Sequence, residues 1–143
     1  MHVRRIGSLL VASLLVLALA PAASAASSSV VIDLHVDFEN GETFTASGFC
    51  ESGEAVTYNF KQVAFNGRAT TFHLFKDLIC DDGSGILTIR VEASAVFGFD
   101  GTIGGWNVVG GTDDYAGVRG GGSIVGIGFD GGLDDHYTGR LTN

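Results

Sequence analysis

A two-residue alternation of apolar and polar side chains, cut at short intervals by Asn-Gly and Asp-Gly pairs, constrains this chain most. Ile32, Leu34, Val36 and Phe38 alternate with Asp33, His35 and Asp37, the pattern of a strand with one face buried. Asn40-Gly41 follows, and both residues tolerate the positive φ of a tight hairpin turn. The same reading predicts strands at residues 43–50, 55–65, 69–80, 86–99, 103–109, 122–129 and 133–141. Ser52-Gly53, Asn66-Gly67, residues 81–85, Asp100-Gly101 and Asp130-Gly131-Gly132 punctuate them. No stretch carries apolar residues at i, i+3 and i+4 over three turns, so helices are not expected. Hairpin-sized connections make sequential strands antiparallel neighbours. Eight such strands close into an all-β, antiparallel up-and-down barrel, wide enough for side chains or one small ligand. An immunoglobulin-like sandwich fits less well, because no tryptophan lies between the two cysteines. Gly98-Phe99-Asp100-Gly101 recurs as Gly128-Phe129-Asp130-Gly131, which two hairpins with the same turn chemistry explain without a repeat array.

The first residues read as a secretory leader. His2, Arg4 and Arg5 form a basic start, Leu9 to Ala20 an apolar run, and Ala23-Ser24-Ala25 a small-residue cleavage site. The apolar run is shorter than the roughly 20 residues of a membrane helix, so cleavage after Ala25 is expected rather than anchoring. The twin-arginine route suits this Leu-rich segment less than the general one. Residues 1–25 are therefore assigned to the leader and 26–143 to a single domain, secreted and without a membrane span.

Cleavage removes Arg4 and Arg5, so six basic residues face all sixteen acids, a net charge of −10. That charge repels nucleic acid and anionic membranes, and no basic patch with interleaved aromatics offsets it. The only proline, Pro21, falls within the leader. Cys50 and Cys80 are the only cysteines, and an even count in an exported chain reads as a disulfide. Closing that loop contributes about 3.5 kcal/mol in the chain-entropy model. No Cys-x-x-Cys pair supports redox chemistry, and no regularly spaced partners support zinc.

Candidate chemistry is sparse. Asp33, His35 and Asp37 share one strand face, and acid–base work or a metal is the sharp reading. Alternate strand residues lie nearly 7 Å apart, which favours a solvated face instead. Asp33, His35 and Glu92 are the weak catalytic candidates; their parity, opposite the apolar stripes, points them outward. Asp81-Asp82-Gly83-Ser84 and Asp134-Asp135 lack calcium-loop spacing. His73 and His136 have no nucleophile at a recognisable offset, and Ser84 is not in a Gly-x-Ser-x-Gly elbow. No cofactor or metal site is expected. Ile32, Leu34, Val36, Phe72, Leu74, Leu87, Ile89 and Val91 should face inward and give a lumen without acid, base or nucleophile.

The most distinctive segment runs from Gly110 to Gly120. Gly110, Gly111, Thr112, Asp113, Tyr115, Gly117, Arg119 and Gly120, preceded by Trp106-Asn107-Val108-Val109, resemble the motif of the allene oxide cyclase barrel-like superfamily. That group includes plant dirigent proteins and exported bacterial proteins. Its motif has glycine where this chain has Asp113. Cys80 to Gly85 before a long strand also looks like the exported bacterial branch. The resemblance implies an eight-stranded barrel, a possible homotrimer, and either binding or a cyclase-like orientation of a reactive intermediate. Physically, Thr112 is placed to cap one helical turn led by Asp113 and Asp114, with Tyr115 inward and Gly117 left-handed. Gly120 to Gly122 are expected to bend the barrel sharply. Eight strands and ten phenylalanines make a module holding a small apolar or aromatic molecule the leading expectation. An enzyme and a structural protein with a filled barrel are the alternatives.

Overall fold

A computed structural model describes residues 26–143; the expected leader and its cleavage point lie outside the described residues. Eight strands follow one another: β1 Ser27–Asp37, β2 Gly41–Ser47, β3 Ser52–Phe65, β4 Ala69–Cys80, β5 Ile86–Val96, β6 Gly101–Gly111, β7 Arg119–Phe129 and β8 Gly132–Thr142. Each pairs antiparallel with its neighbour, and β8 returns to β1 to close the barrel. The closing seam is long, running from Ser27↔Thr142 to Asp37↔Gly132. It explains why β1 begins at Ser27, five residues before the apolar alternation: backbone pairing with β8 extends the strand where side-chain pattern is silent.

Alternation decides the facing. Val30, Ile32, Leu34 and Val36 of β1 are buried, as are Leu87, Ile89, Val91 and Ala93 of β5. Leu78, Trp106, Ile124, Tyr137 and Leu141 meet them to fill most of the barrel. Burial of such side chains at about 25 cal/mol per Å² drives the closure. Trp106 needs room, and Gly139 supplies it: a Cβ there would lie 2.7 Å from the indole and 2.3 Å from the Gly121 carbonyl. The Trp106 Nε1–H donates to the Thr138 carbonyl at 3.2 Å, so the buried ring keeps its polar handle satisfied.

The two ends of the barrel differ. At one end lie both described termini and the connections β2–β3, β4–β5 and β6–β7. Here the Cys50–Cys80 disulfide joins β4 to the β2–β3 connection. Phe49 packs on Tyr115 with ring centroids 4.7 Å apart, and the Tyr115 hydroxyl lies 2.9 Å from Ser84 Oγ. This end is plugged. Four hairpin turns ring the other end, and there the wall is notched. β2 pairs with β3 only from Glu42↔Ala55 to Thr45↔Ser52, whereas β3 continues to Phe65 with β4 as its partner.

The distinctive connection is built partly as expected. Asp113–Tyr115 form a single 3-10 turn and Gly117 has φ +83°, the left-handed region open to glycine. Asp113, standing where the related motif has glycine, also has φ +52°. Aspartate is among the few residues that tolerate that region. One expectation needs correction, and the flanking strands reach further into the segment than their side-chain pattern indicates. Thr112 does not cap the turn with its side chain; its hydroxyl accepts from the Ile86 N–H at 3.1 Å and so ties the turn to β5. Gly110 and Gly111 belong to β6, and Gly120 to Gly122 lie within β7. There glycine permits close approach of neighbouring backbone: a Cβ at Gly122 would sit 1.8 Å from the Thr138 carbonyl. Arg119 is exposed at the start of β7.

Candidate functional site

The apolar stripes of β1, β4 and β5 face inward as the alternation requires, but the inward faces of three strands, β4, β8 and β2, carry a charged residue. On β4 the inward sequence is Leu74, Lys76, Leu78; on β8 it is Leu133, Asp135, Tyr137; on β2 it is Glu42, Phe44. The expectation of a lumen without acid or base is therefore overturned. The polar residues sit on the barrel's inner face because period two leaves them no alternative.

Lys76 is only 4 % exposed. Its ammonium donates to Glu42 Oε2 at 2.5 Å and to the hydroxyl of its cross-strand partner Thr57 at 2.6 Å. Asp135, 7 % exposed, sits opposite Leu34 on one side and Gly126 on the other. A Cβ on Gly126 would lie 2.2 Å from Asp135 Oδ1, so the missing side chain makes the space the carboxyl occupies. The Tyr137 hydroxyl donates to Asp135 Oδ2 at 3.4 Å, and Asp135 Oδ1 has no hydrogen-bond partner. Burial pushes the Asp135 carboxyl above its ordinary pKa; the Lys76 charge and the Tyr137 hydroxyl oppose this, while Glu42 and Asp134 add to it. Burial likewise pushes the Tyr137 phenol well above its usual range, with the Asp135 charge next in importance. A carboxyl so placed favours the neutral, hydrogen-bond-donating form.

These groups border a cavity of about 410 Å³ at the notched end. Apart from Thr57 and Thr102, its other walls are apolar: Val36, Phe38, Phe60, Phe72, Leu74, Val91, Ala93, Ile124 and Leu133. The size lies within the range of small-molecule pockets, which typically combine apolar walls with a few convergent polar groups. Lys76 lies at the boundary of cavity and packed core, between Leu74, which lines the cavity, and the fully buried Leu78.

Asp33, His35 and Glu92, the residues singled out from sequence, point away from the lumen. The register sets Asp33 opposite His136 and His35 opposite Asp134, and each pair closes at 2.6 Å through the imidazole Nδ1. His35 also stacks on Phe129 at 5.0 Å. Glu92 meets His73 Nε2 at 2.5 Å and Arg90 at 3.7 Å, again on the outer surface. A shallow outer groove of about 580 Å³ runs past Asp33, His35, Asp134 and His136. It is larger than the lumen cavity, but its charged and hydroxyl-bearing walls are open to water, so a ligand there would bury little apolar area. Asp37 accepts from the Glu39 and Asn40 amides of its turn. Asp81 and Asp82 bond Ser52 and Ser84. Among the described residues no three His, Cys, Asp or Glu side chains gather as a metal-holding group, and no helix is long and apolar enough to cross a membrane.

No family model, characterised protein or solved structure matches this chain. Its class is shown by its own geometry: an all-β, closed, eight-stranded antiparallel up-and-down barrel.

Proposed function

We propose that this barrel is a secreted binding module that holds one small, mainly apolar or aromatic molecule in its open end. The observation that carries the reading is the cavity of about 410 Å³, walled by aliphatic and phenyl side chains in a barrel otherwise filled by its own core. Burial of apolar ligand surface supplies the affinity, and the Glu42, Lys76, Asp135 and Tyr137 group supplies orientation. The disulfide fits an oxidising compartment. The likeness of Gly110 to Gly120 to the allene oxide cyclase and dirigent barrels supports the same placement, exported and oligomeric. The half-exposed strip of Ile103, Val125 and Ile127 on β6 and β7 suits a homotrimer contact, which light scattering would test.

The experiment is a titration with Nile red, a neutral dye that the acidic surface does not repel. Dye fluorescence rises and saturates with the folded protein and falls at least tenfold in affinity for Ala93→Phe, which fills the cavity from β5. Equal binding by both proteins would remove the lumen from consideration.

A second reading is favoured by one observation: two carboxyls and a phenol face the lumen. A cyclase- or dirigent-like barrel orients a reactive intermediate with such groups. Asp135→Asn separates the two readings, since it preserves shape and dye binding while removing the titratable proton that acid catalysis requires.

A further inference from the structure

The rim of the open end is as unusual as the cavity. Four hairpin turns form it, and three carry a phenylalanine in water: Phe38 at 71 % exposure, Phe65 at 69 % and Phe97 at 91 %. Phe60, 58 % exposed, stacks on Phe72 at 5.0 Å just below, on the inner side of the β3–β4 hairpin. Phe38 and Phe60 also line the cavity, so rim and mouth are continuous.

We propose that this end of the barrel docks on a zwitterionic, choline-bearing lipid surface, with Phe38, Phe65 and Phe97 inserted among the headgroups. Three features select that occupant. The first is anatomy: a protein interface has a packed apolar centre and a polar rim. Here the centre is an open mouth and the apolar groups stand on the rim around it, Phe65 and Phe97 side by side over one shallow hollow and Phe38 on the β1–β2 turn, an arrangement that a fluid surface fills more readily than a rigid partner. The second is chemistry: the prominent rim aromatics are phenylalanines without a hydrogen-bonding handle, while Trp106 and Tyr137 are buried inside. Such side chains favour the headgroup–acyl boundary and are poor at recognising hydroxylated ligands. The third is charge. Asp37, Glu39 and Asp100 stand in or beside the turns of Phe38 and Phe97, Asp130 stands in the fourth turn, and Arg68, in the turn after Phe65, is the one basic residue of the four. Carboxylates and phenyl faces are the groups that attract a quaternary ammonium, the outermost charge of a choline headgroup. The same carboxylates repel anionic lipid, and they repel each other if two copies meet mouth to mouth. A barrel docked this way opens its cavity onto the lipid, so an apolar ligand passes between the two without crossing water.

The inference stands apart from the lumen reading, and one experiment distinguishes them. The full secreted protein is sedimented with phosphatidylcholine vesicles and, separately, with phosphatidylglycerol vesicles. The expected result is partitioning onto phosphatidylcholine, weaker partitioning onto phosphatidylglycerol, and about tenfold loss for Phe38→Ser or Phe97→Ser, each an exposed ring. Unchanged melting of the two variants shows that the fold is intact. Ala93→Phe, which closes the cavity, keeps vesicle binding. Absence of partitioning, preference for the anionic vesicles, or indifference to the rim substitutions overturns the proposal. So does a soluble dimer that the rim substitutions dissociate, which would make a second copy the occupant.

Discussion

Lys76→Met should be among the most damaging single substitutions in this barrel that leave its core volume intact. The Lys76 ammonium is held by Glu42 Oε2 at 2.5 Å and Thr57 Oγ1 at 2.6 Å, with the side chains of the pair 5 % and 14 % exposed. Methionine keeps the apolar stem but leaves the Glu42 carboxylate buried without a counter-charge. Breaking a buried pair from one side costs about 3–5 kcal/mol, a large share of the 5–15 kcal/mol that holds a domain together. For a domain of this size that is a loss of roughly 10–20 °C in Tm. Glu42→Leu combined with Lys76→Met removes both charges and should recover most of the loss, since an apolar replacement of a buried pair is often neutral. Urea unfolding followed by the fluorescence of Trp106, the one tryptophan in the chain, measures both variants. A cost below about 1 kcal/mol for Lys76→Met, the value of a solvated surface pair, would refute the placing of this cluster inside the lumen.

Three further outcomes follow from the buried carboxyl, the disulfide and the β6–β7 connection. The folded-state pKa of Asp135 is raised by burial, so its neutral form is the stabilising one; that contribution is full at low pH and is lost as pH rises through the folded-state value. Asp135→Asn should therefore be more stable than the wild type at neutral pH and should flatten that part of the Tm–pH curve; an unchanged curve would show the carboxyl to be solvated. Replacing Cys50 and Cys80 with serine should lower stability by about 2–5 kcal/mol in urea titration, and a thiol reagent should label neither cysteine in the native protein. Gly117→Val should lower Tm through backbone strain alone, because φ is +83° while no atom lies within 4 Å of the added Cβ. Wild-type melting of that variant would mean that the β6–β7 connection relaxes freely.

Strand existence and facing were legible because each β residue points to one of two sides. Ile32, Leu34 and Val36 could not all face inward without Asp33 and His35 facing out. Closure was not written in any local pattern: Ser27 to Val31 become strand by pairing with β8, more than a hundred residues away at the seam's end, Ser27↔Thr142. The candidate site was hidden by the same rule that revealed the fold. A search for apolar stripes passes over Lys76 between Leu74 and Leu78, and over Asp135 between Leu133 and Tyr137. A charged residue at an inward parity was the available signal, and it marks all three charged groups of the lumen. Asp33 and His35 stand out because chemistry-bearing residues sit close in sequence there, and Glu92 as an acid on the long alternating strand of residues 86–99. On a strand, such proximity places them side by side on the solvated face, paired with the neighbouring strand.

The binding account is tested most directly by methyl NMR of Ile-, Leu- and Val-labelled protein titrated with naphthalene, a neutral aromatic of lumen size. Saturable shifts should appear at Val36, Leu74, Val91, Ile124 and Leu133, which line the cavity, and not at Val30, Leu87 or Ile89 of the packed core. Shifts confined to the outer-face methyls of Ile103, Val125 and Ile127, or no saturable shifts at all, would contradict it.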